Sequence, residues 1–411
     1  MEQQDLIPHL FRMEYRKIVS VLSKRFGFDQ IEIAEDIASE TFLTAAQSWP
    51  INGLPENPVA WLYLVAKNKS RNYLQRNSVF ELKIRPELKK EFTNAYEQEI
   101  DLSPQNISDS QLQMMFAICH PSISSEAQIA LSLRILCGFG IEEIADAFLS
   151  NKETINKRLL RAREKLREEK ICIDMPEPSR IESRLDTVLT TIYLLFNEGY
   201  YSMSEDSTLR KDLCLEAMRL CTMLVENKIT NKPAANALLS LMCFHASRFE
   251  TRMNKNGELV LYEDQDEHQW NPELISKGGF YLHAAARGNT ITKFHLEAAI
   301  AYWNTQKQDT KEKWEAVLHL YNQLLTMEYS PIAALNRTFV ISKVMGKQAA
   351  IAEAEQLNLA GNPFYYSLLG ELYTGLDNEK AGQNLQKALS LVKYDPGKQV
   401  IRKKLAKLGL F

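Results

Sequence analysis

The chain has 411 residues, of which 45% are hydrophobic and 25% charged, with a formal net charge of −3. These averages exclude a largely disordered or fibrous chain, and the length predicts two or three domains. No segment approaches the ~20 consecutive apolar residues of a membrane span, so we expect a cytoplasmic protein without a membrane partner.

The spacing of apolar residues predicts an all-α fold. Almost every segment repeats at three or four residues, and no segment alternates for long enough to form a strand. Proline and polar clusters divide the chain into four parts. These are a helical block at 1–77, a linker at 78–110 with Pro86, Glu97, Glu99 and Pro104, a second helical block at 111–173, and a helical extension at 174–411. Within the extension we expect turns at 197–199, 254–257, 278–279 and 361–363.

The first block contains a predicted helix from Ile31 to Trp49 with an acidic stripe. Its inward face consists of Ile33, Ile37, Thr41 and Ala45. The outward stripe consists of Glu32, Asp36, Glu40 and Leu43. Like charges at this spacing destabilise a helix slightly, so the stripe either improves solubility or docks a basic partner. The apolar residue within the stripe favours docking.

The next pattern, from Val59 to Arg76, ends in polar and basic side chains. They are Lys67, Asn68, Arg71, Asn72, Tyr73 and Arg76. This combination suits single-stranded or partly melted nucleic acid, because cations bind phosphates and an aromatic ring stacks on an exposed base. The alternative for Tyr73 is a packing role at the edge of the core.

The second block contains a predicted helix-turn-helix, with helices at 141–148 and 152–167. The polar flank of the second helix consists of Lys152, Thr154, Lys157, Arg158, Arg161 and Lys165. We expect Thr154 and Lys157 to contact base edges, and the later cations to contact phosphates. Charge alone is equally typical of a solvated basic helix, but the short helix and turn before it favour DNA binding.

The extension contains the spacing of a tetratricopeptide helix at Tyr366, Leu369, Gly370 and Tyr373. Such repeats stack and leave a concave groove, which here would bind an unidentified ligand or protein; the alternative is a purely structural cap. Leu160 lies away from both the core face and the basic flank of the second block's long helix. We therefore expect the extension to cover it.

Together these features resemble regions 2 and 4 of the sigma-70 family. The segment Ala34–Phe42 resembles the acidic helix that docks on the β′ clamp helices of core RNA polymerase. Residues Asn57–Leu62 and Val65–Asn68 resemble the helix that opens and reads the −10 element, although Gln75-Arg76-Asn77 replaces the usual pair of arginines. Residues Ala130–Arg167 resemble region 4, which reads the −35 element and binds the β flap. The absence of regions 1 and 3 is typical of the extracytoplasmic-function group.

Further motifs resemble the subgroup with a fused tetratricopeptide-like domain. They are Cys119-His120-Pro121, Tyr193–Tyr200, Glu263–Asp266, Glu297–Ala301 and Leu335-Asn336-Arg337. The chain departs from this subgroup at Glu267 and at Lys311–Trp314. The resemblance implies a sigma factor that directs polymerase to promoter DNA, with the extension as an intramolecular regulator. The alternatives are a helix-turn-helix activator with a repeat-type sensor domain and a helical scaffold without DNA binding.

The sequence contains no pattern of a catalytic, cofactor or metal site. It lacks a nucleophile motif, a phosphate-binding loop and a dinucleotide fingerprint. Its six cysteines lie in apolar helical patterns without paired spacing, which predicts buried thiols. We therefore expect neither enzyme activity nor a cofactor.

Overall fold

The computed structural model describes residues 3–84, 100–201, 207–252, 260–392 and 395–409. Within these ranges the regular structure is helical and no strand occurs, which confirms the all-α prediction. None of the described helices is long and apolar enough to cross a membrane. The chain forms two compact units, Met1–Leu224 and Val225–Phe411.

The first unit contains nine helices in the part of the chain that the structure describes. They are α1 Gln3–Phe26, α2 Ile31–Asn52, α3 Pro58–Ile84, α4 Pro104–Ile118, α5 Ser125–Leu131, α6 Ile141–Ala147, α7 Lys152–Glu168, α8 Ile181–Tyr201 and α9 Ser207–Glu226. Helix α5 continues into a π-helical turn at Ser132–Leu136, and α9 ends two residues beyond the unit boundary.

Helix α1 is the centre of the first unit. It packs against α2 and α3 from the first predicted block, and against α4 and the π-turn from the second. Its side chains Tyr15, Ile18, Val19 and Leu22 are at most 1% exposed. Burying one such side chain contributes about 1.5–3 kcal/mol. The two predicted blocks therefore share one core rather than standing apart.

The structure differs from the sequence-based boundaries at the predicted linker. Helix α3 continues to Ile84, and α4 begins at Pro104 behind the N-cap Ser103, so both ends of the linker are helical. Its central positions Pro86, Glu97 and Glu99 lie outside the described residues. Proline is well tolerated in the first turn of a helix, which is why Pro104 begins α4 instead of breaking it.

The predicted turns of the extension have mixed outcomes. Residues 197–199 lie inside α8, and 254–257 lie outside the described residues. Residues 361–362 do separate two helices, and Pro363 begins the second of them. The unit boundary at Leu224 also differs from the domain boundary expected near residue 174, because α8 packs against α4 and α5. The prolines after residue 174 interrupt the helical pattern without separating α8 from the first unit.

The second unit is a series of packed helices. They are α10 Pro233–Ala246, α11 Pro272–Ala285, α12 Lys293–Trp303, α13 Lys311–Met327, α14 Pro331–Val344, α15 Lys347–Leu357, α16 Pro363–Tyr373, α17 Asn378–Leu391 and α18 Asp395–Lys407. Each packs against the next along the chain, as helical repeats do. The predicted tetratricopeptide spacing falls on α16, which packs against α17. There Gly370 lets the helices approach so closely that a Cβ atom would lie 2.6 Å from Leu385 Cγ.

The predicted turn at 278–279 is instead the middle of α11. Position 278 has no space for a side chain, because a Cβ atom there would lie 2.5 Å from the ring of Phe244 on α10. Its carbonyl oxygen also accepts a 2.7 Å hydrogen bond from the Ser240 hydroxyl. A Cβ atom on Gly279 would meet no atom within 4 Å. The two adjacent glycines therefore have different roles.

We predict different effects on stability for the two alanine substitutions. Gly278→Ala should lower the free energy of unfolding by about 1–3 kcal/mol, because it overpacks the contact between α10 and α11. Gly279→Ala, the matched control, should leave it unchanged or raise it by up to about 1 kcal/mol through helix propensity. Urea denaturation of the full chain measures both, and equal effects would contradict the close packing of α10 on α11.

Candidate DNA and polymerase interfaces

The helix-turn-helix forms as predicted, from α6 and α7. Leu149 takes a left-handed conformation with φ of 48° in the turn. The side chain of Asn151 then caps α7 by accepting a 2.8 Å hydrogen bond from the Thr154 backbone N–H. The anchoring face of α7 is buried, and it consists of Ile155, Leu159, Ala162 and Leu166. This face packs against α5 and α6, so the opposite side of α7 points away from these two helices.

The polar flank of α7 lines an open groove of about 470 Å³ beside the start of α5. The groove brings together five of the six predicted −35 residues, which are Thr154, Lys157, Arg158, Arg161 and Lys165. Ser122 and Ser124 form part of the opposite wall. Cations and hydroxyls along one groove are suited to phosphate oxygens. The sixth residue, Lys152, is not among the lining residues and pairs with Glu142.

The cations of this flank differ in their partners. The guanidinium of Arg158 stacks over the Phe148 ring at 5.0 Å. Lys165 Nζ lies 2.9 Å from Glu169 Oε1, and this hydrogen bond raises the pKa of Lys165. Among the described residues, neither Lys157 nor Arg161 has a carboxylate partner. Both are exposed, so these two cations need no rearrangement to meet a phosphate or a base.

The acidic stripe of α2 is exposed over three of its four predicted residues. Asp36 and Glu40 face solvent, and the apolar side chain of Leu43 is 56% exposed. Glu40 forms one 3.0 Å ion pair, with Lys69 of α3. Glu32 is half-buried and turned toward two arginines of α7. The surface offered to a basic partner is therefore centred on Asp36 and Glu40.

A second charged cluster, which local sequence patterns did not predict, joins α2 to the segment from α5 to α7. We call it the α2–α7 ion cluster, and it consists of Glu32, Glu35, Arg134, Arg163 and Arg167. Glu35 Oε1 lies 3.1 Å from Arg134 Nε, and Glu35 Oε2 lies 2.8 Å from Arg163 Nη2. Arg163 Nη1 is 3.7 Å from Glu32, and Arg167 pairs with Glu32 and donates to the Phe28 carbonyl at 3.0 Å.

A signal for this cluster was present in the sequence. Glu35 lies four residues after Ile31 and seven before Phe42, on the buried face of α2, and it is 8% exposed. A carboxylate on an apolar helix face requires a charged or hydrogen-bonding partner. The identity of that partner depends on tertiary structure, because Arg163 is 128 residues away.

The polar end of α3 presents most of the predicted −10 residues. Asn68, Arg71, Asn72 and Arg76 are exposed, and Lys67 and Tyr73 are half-buried. Arg71 donates a 3.3 Å hydrogen bond to the Asn68 side chain.

Tyr73 differs from these neighbours because its ring lies 5.7 Å from that of Phe26 and its hydroxyl donates to Gln30 at 3.5 Å. Burial raises the pKa of Tyr73. These contacts favour the packing alternative for this residue.

The first helices of the extension bind directly to α1 and to the second block. On α9, Asp212 lies 2.7 Å from Arg12, and Glu216 lies 2.5 Å from Arg16. Arg219 of α9 donates a 2.7 Å hydrogen bond to the carbonyl of Leu136. These contacts join one helix of the extension to both predicted blocks.

Helix α8 adds two contacts. Arg184 donates to the carbonyl of Phe116, and Thr191 Oγ1 donates to the Gln128 side chain at 2.7 Å. Leu160 is nevertheless 52% exposed, and the described part of the extension within the first unit does not cover it. That expectation was wrong in its detail, because α8 approaches α4 and α5 rather than the outer side of α7.

The cysteines are thiols, and five of the six are buried as predicted. Cys172 is exposed, which corrects the prediction for that position, because it lies in the loop after α7. No group of three or more His, Cys, Asp or Glu residues with the geometry of a metal site occurs in the part of the chain that the structure describes.

Comparisons with known proteins identify a known family over most of the first three helices. Residues 10–79 match the family described as Sigma-70 region 2, and residues 184–286 match a family of unknown function, DUF6596. An uncharacterized protein of Rhizobium meliloti (strain 1021) is 32% identical over 350 residues, which cover 84% of this chain and 82% of that protein. No solved structure matches.

The N-terminal part of the chain is a Sigma-70 region 2 domain, which supports a member of the sigma-70 family. Members of this family are non-enzymatic DNA-binding regulators that act in transcription initiation with core RNA polymerase. In this protein the region 2 match includes α2 and its acidic stripe, and it ends within α3 three residues after Arg76. The DUF6596 match begins in α8 and ends just after α11, so it contributes helices to both compact units.

Proposed function

We propose that this protein is a sigma factor of the extracytoplasmic-function kind that recognises a promoter through two surfaces. In this proposal the polar end of α3 opens and reads the −10 element, and the groove beside α7 binds the −35 element. The observation that supports it best is the assembly of five predicted residues along one open groove. The same compact unit contains the region 2 match.

The proposal assigns the docking of core polymerase to α2. Asp36 and Glu40 lie four residues apart on an exposed face, with Leu43 beside them. A basic helical partner, such as the β′ clamp helices, would meet both carboxylates and bury one apolar side chain. The second block would bind the β flap as region 4 does in this family.

The proposal assigns regulation to the extension. Helices α8 and α9 contact both blocks through Arg184, Asp212, Glu216 and Arg219, so a change in these helices alters the first unit directly. The second unit provides packed helices of a tetratricopeptide-like kind, in which a groove would bind an unidentified ligand or protein.

A helix-turn-helix activator remains the alternative function, but it does not account for region 2. Promoter-specific transcription with added core polymerase distinguishes the two.

We predict that Asp36→Arg combined with Glu40→Arg abolishes binding to core polymerase, because it reverses the charge of the docking stripe. Binding is measured by co-purification and by fluorescence anisotropy, with circular dichroism to verify the helical content. The control is Asp29→Arg with Glu56→Arg, which reverses two exposed carboxylates outside the stripe. Unchanged binding of the stripe variant would exclude α2 as the docking helix.

We predict that Arg161→Ala weakens promoter binding about equally for different sequences and reduces the salt dependence by roughly one unit, because it removes one phosphate contact. Substitution of Thr154 or Lys157 should instead change the sequence preference. Binding to a panel of promoter fragments over a salt titration measures both effects. A change of promoter choice by Arg161→Ala would show that its face of α7 is misassigned.

We predict that Asp212→Ala with Glu216→Gln changes promoter-dependent transcription and increases hydrogen exchange in α1, because it removes the carboxylates that bind Arg12 and Arg16. The substitutions test the extension better than a stop near residue 174, since that truncation would remove α8 and α9 from the first unit. Glu226→Gln, an exposed carboxylate at the end of the same helix, is the control. Wild-type transcription and exchange would contradict regulation through α9.

A further inference from the structure

The positive charge of the chain is concentrated in residues 380–411. This segment contains eight Lys and Arg residues and a single acidic residue, Asp395. The whole chain has 49 Lys and Arg residues against 52 Asp and Glu residues, so residues 1–379 are acidic, with 41 against 51. A strongly basic segment on an acidic protein indicates a surface for a negatively charged partner.

Helix α18 carries the exposed part of this charge. Its apolar side chains Ile401 and Leu405 are at most 4% exposed and pack in one cluster with Leu385 of α17. At 100° per residue, the centre of the exposed cations lies about 160° around the helix axis from this buried pair. Because one side of α18 is held against α17, the opposite side faces solvent. The exposed cations of that side are Arg402, Lys403 and Lys407.

Two of these cations are available to an external anion. Arg402 and Lys407 form no ion pair with any residue in the part of the chain that the structure describes. Lys404 differs from them, because its Nζ lies 2.6 Å from Glu371 Oε2 and ties α18 to α16. An anion can therefore bind Arg402 and Lys407 without breaking a contact within the described protein.

The geometry of α18 favours duplex DNA over other anionic partners. A helix that lies on a lipid surface inserts its apolar face, but that face of α18 is buried against α17. Arg402 and Lys407 are about 7.5 Å apart along the axis, at a rise of about 1.5 Å per residue. Duplex DNA carries one charge per about 1.7 Å, so about four phosphates lie within this span. An acidic helix with carboxylates one turn apart offers about two.

We propose that the exposed side of α18 binds the phosphate backbone of duplex DNA without regard to base sequence. The Sigma-70 region 2 domain of this chain is typical of DNA-binding regulators, so duplex DNA is a partner that the protein meets when it acts. The contact adds to the phosphate contacts of the groove beside α7 and does not depend on them. It increases the affinity for DNA but leaves the choice of promoter unchanged, because phosphates carry no sequence information.

The test uses the full chain and a fluorescently labelled duplex without a promoter sequence. Binding is measured by anisotropy over a salt titration. Arg402→Gln with Lys407→Gln removes two charges from the exposed side of α18. The matched control is Lys277→Gln with Arg287→Gln, which removes one exposed lysine from α11 and one exposed arginine just after it. Circular dichroism verifies the helical content of both variants.

We expect the α18 variant to reduce the slope of log K against log salt by about two units, since each lost phosphate contact contributes about 0.9. At about 0.1 M salt, this change corresponds to an affinity about ten to a hundred times lower. The loss should be the same for a promoter duplex and for the duplex without a promoter. The control variant should keep the slope of the wild type.

An α18 variant with the slope and affinity of the wild type, or with a loss equal to that of the control, would overturn the inference. A variant that keeps its binding to the duplex but loses binding to polyglutamate, or to vesicles of phosphatidylcholine and phosphatidylserine, would also overturn it. In that case the basic side of α18 serves a different anion.

Arg161→Ala in the same titration separates this inference from the proposed function. If Arg161→Ala lowers the slope and the α18 variant does not, the groove beside α7 keeps its assignment and the contact through α18 is excluded. If only the α18 variant lowers the slope, the inference holds and the assignment of the groove is wrong.

Discussion

Helix α1 has to be buried on all sides at once, and the first unit depends on that constraint. Residues 14–23 are buried with the single exception of Lys17, so no face of this segment is left for water. The segment includes Glu14 and Arg16, which are tolerated because Tyr63 donates to Glu14 at 2.5 Å and Glu216 pairs with Arg16. Partners from region 2 and from the extension are needed to satisfy one helix. The helices of the first unit that contact α1 are arranged around it because of this requirement.

The parts of the fold that the sequence predicted well are those governed by local spacing. Ile155, Leu159, Ala162 and Leu166 repeat at three and four residues, and all four are buried. The same spacing predicted which side of α7 faces the groove and which side faces the core. The exposed positions of Asp36, Glu40 and Leu43 followed from the periodicity of α2 in the same way. Short-range periodicity determines which face of a helix is apolar, whatever the tertiary structure is.

The features that the sequence did not predict depend on partners far along the chain. Glu35 was not recognised as a buried ion, because its partners Arg134 and Arg163 are 99 and 128 residues away. Gly278 and Gly279 looked like a turn, although Gly278 is required by the ring of Phe244. The prolines near residue 176 indicated a domain boundary, but proline ends a helix without determining where the next helix packs. Tertiary contacts overrode the local signal in each case.

The pairing of Arg16 with Glu216 has a consequence for synthesis on the ribosome. These residues are separated by 200 positions. At a translation rate of 5–20 residues per second, about 10–40 s pass between the appearance of the arginine and that of its partner. During that interval both predicted blocks are complete in sequence, but the buried guanidinium of Arg16 on their shared helix has no carboxylate partner. The nascent chain therefore acquires its finished N-terminal core only after the extension has begun to emerge.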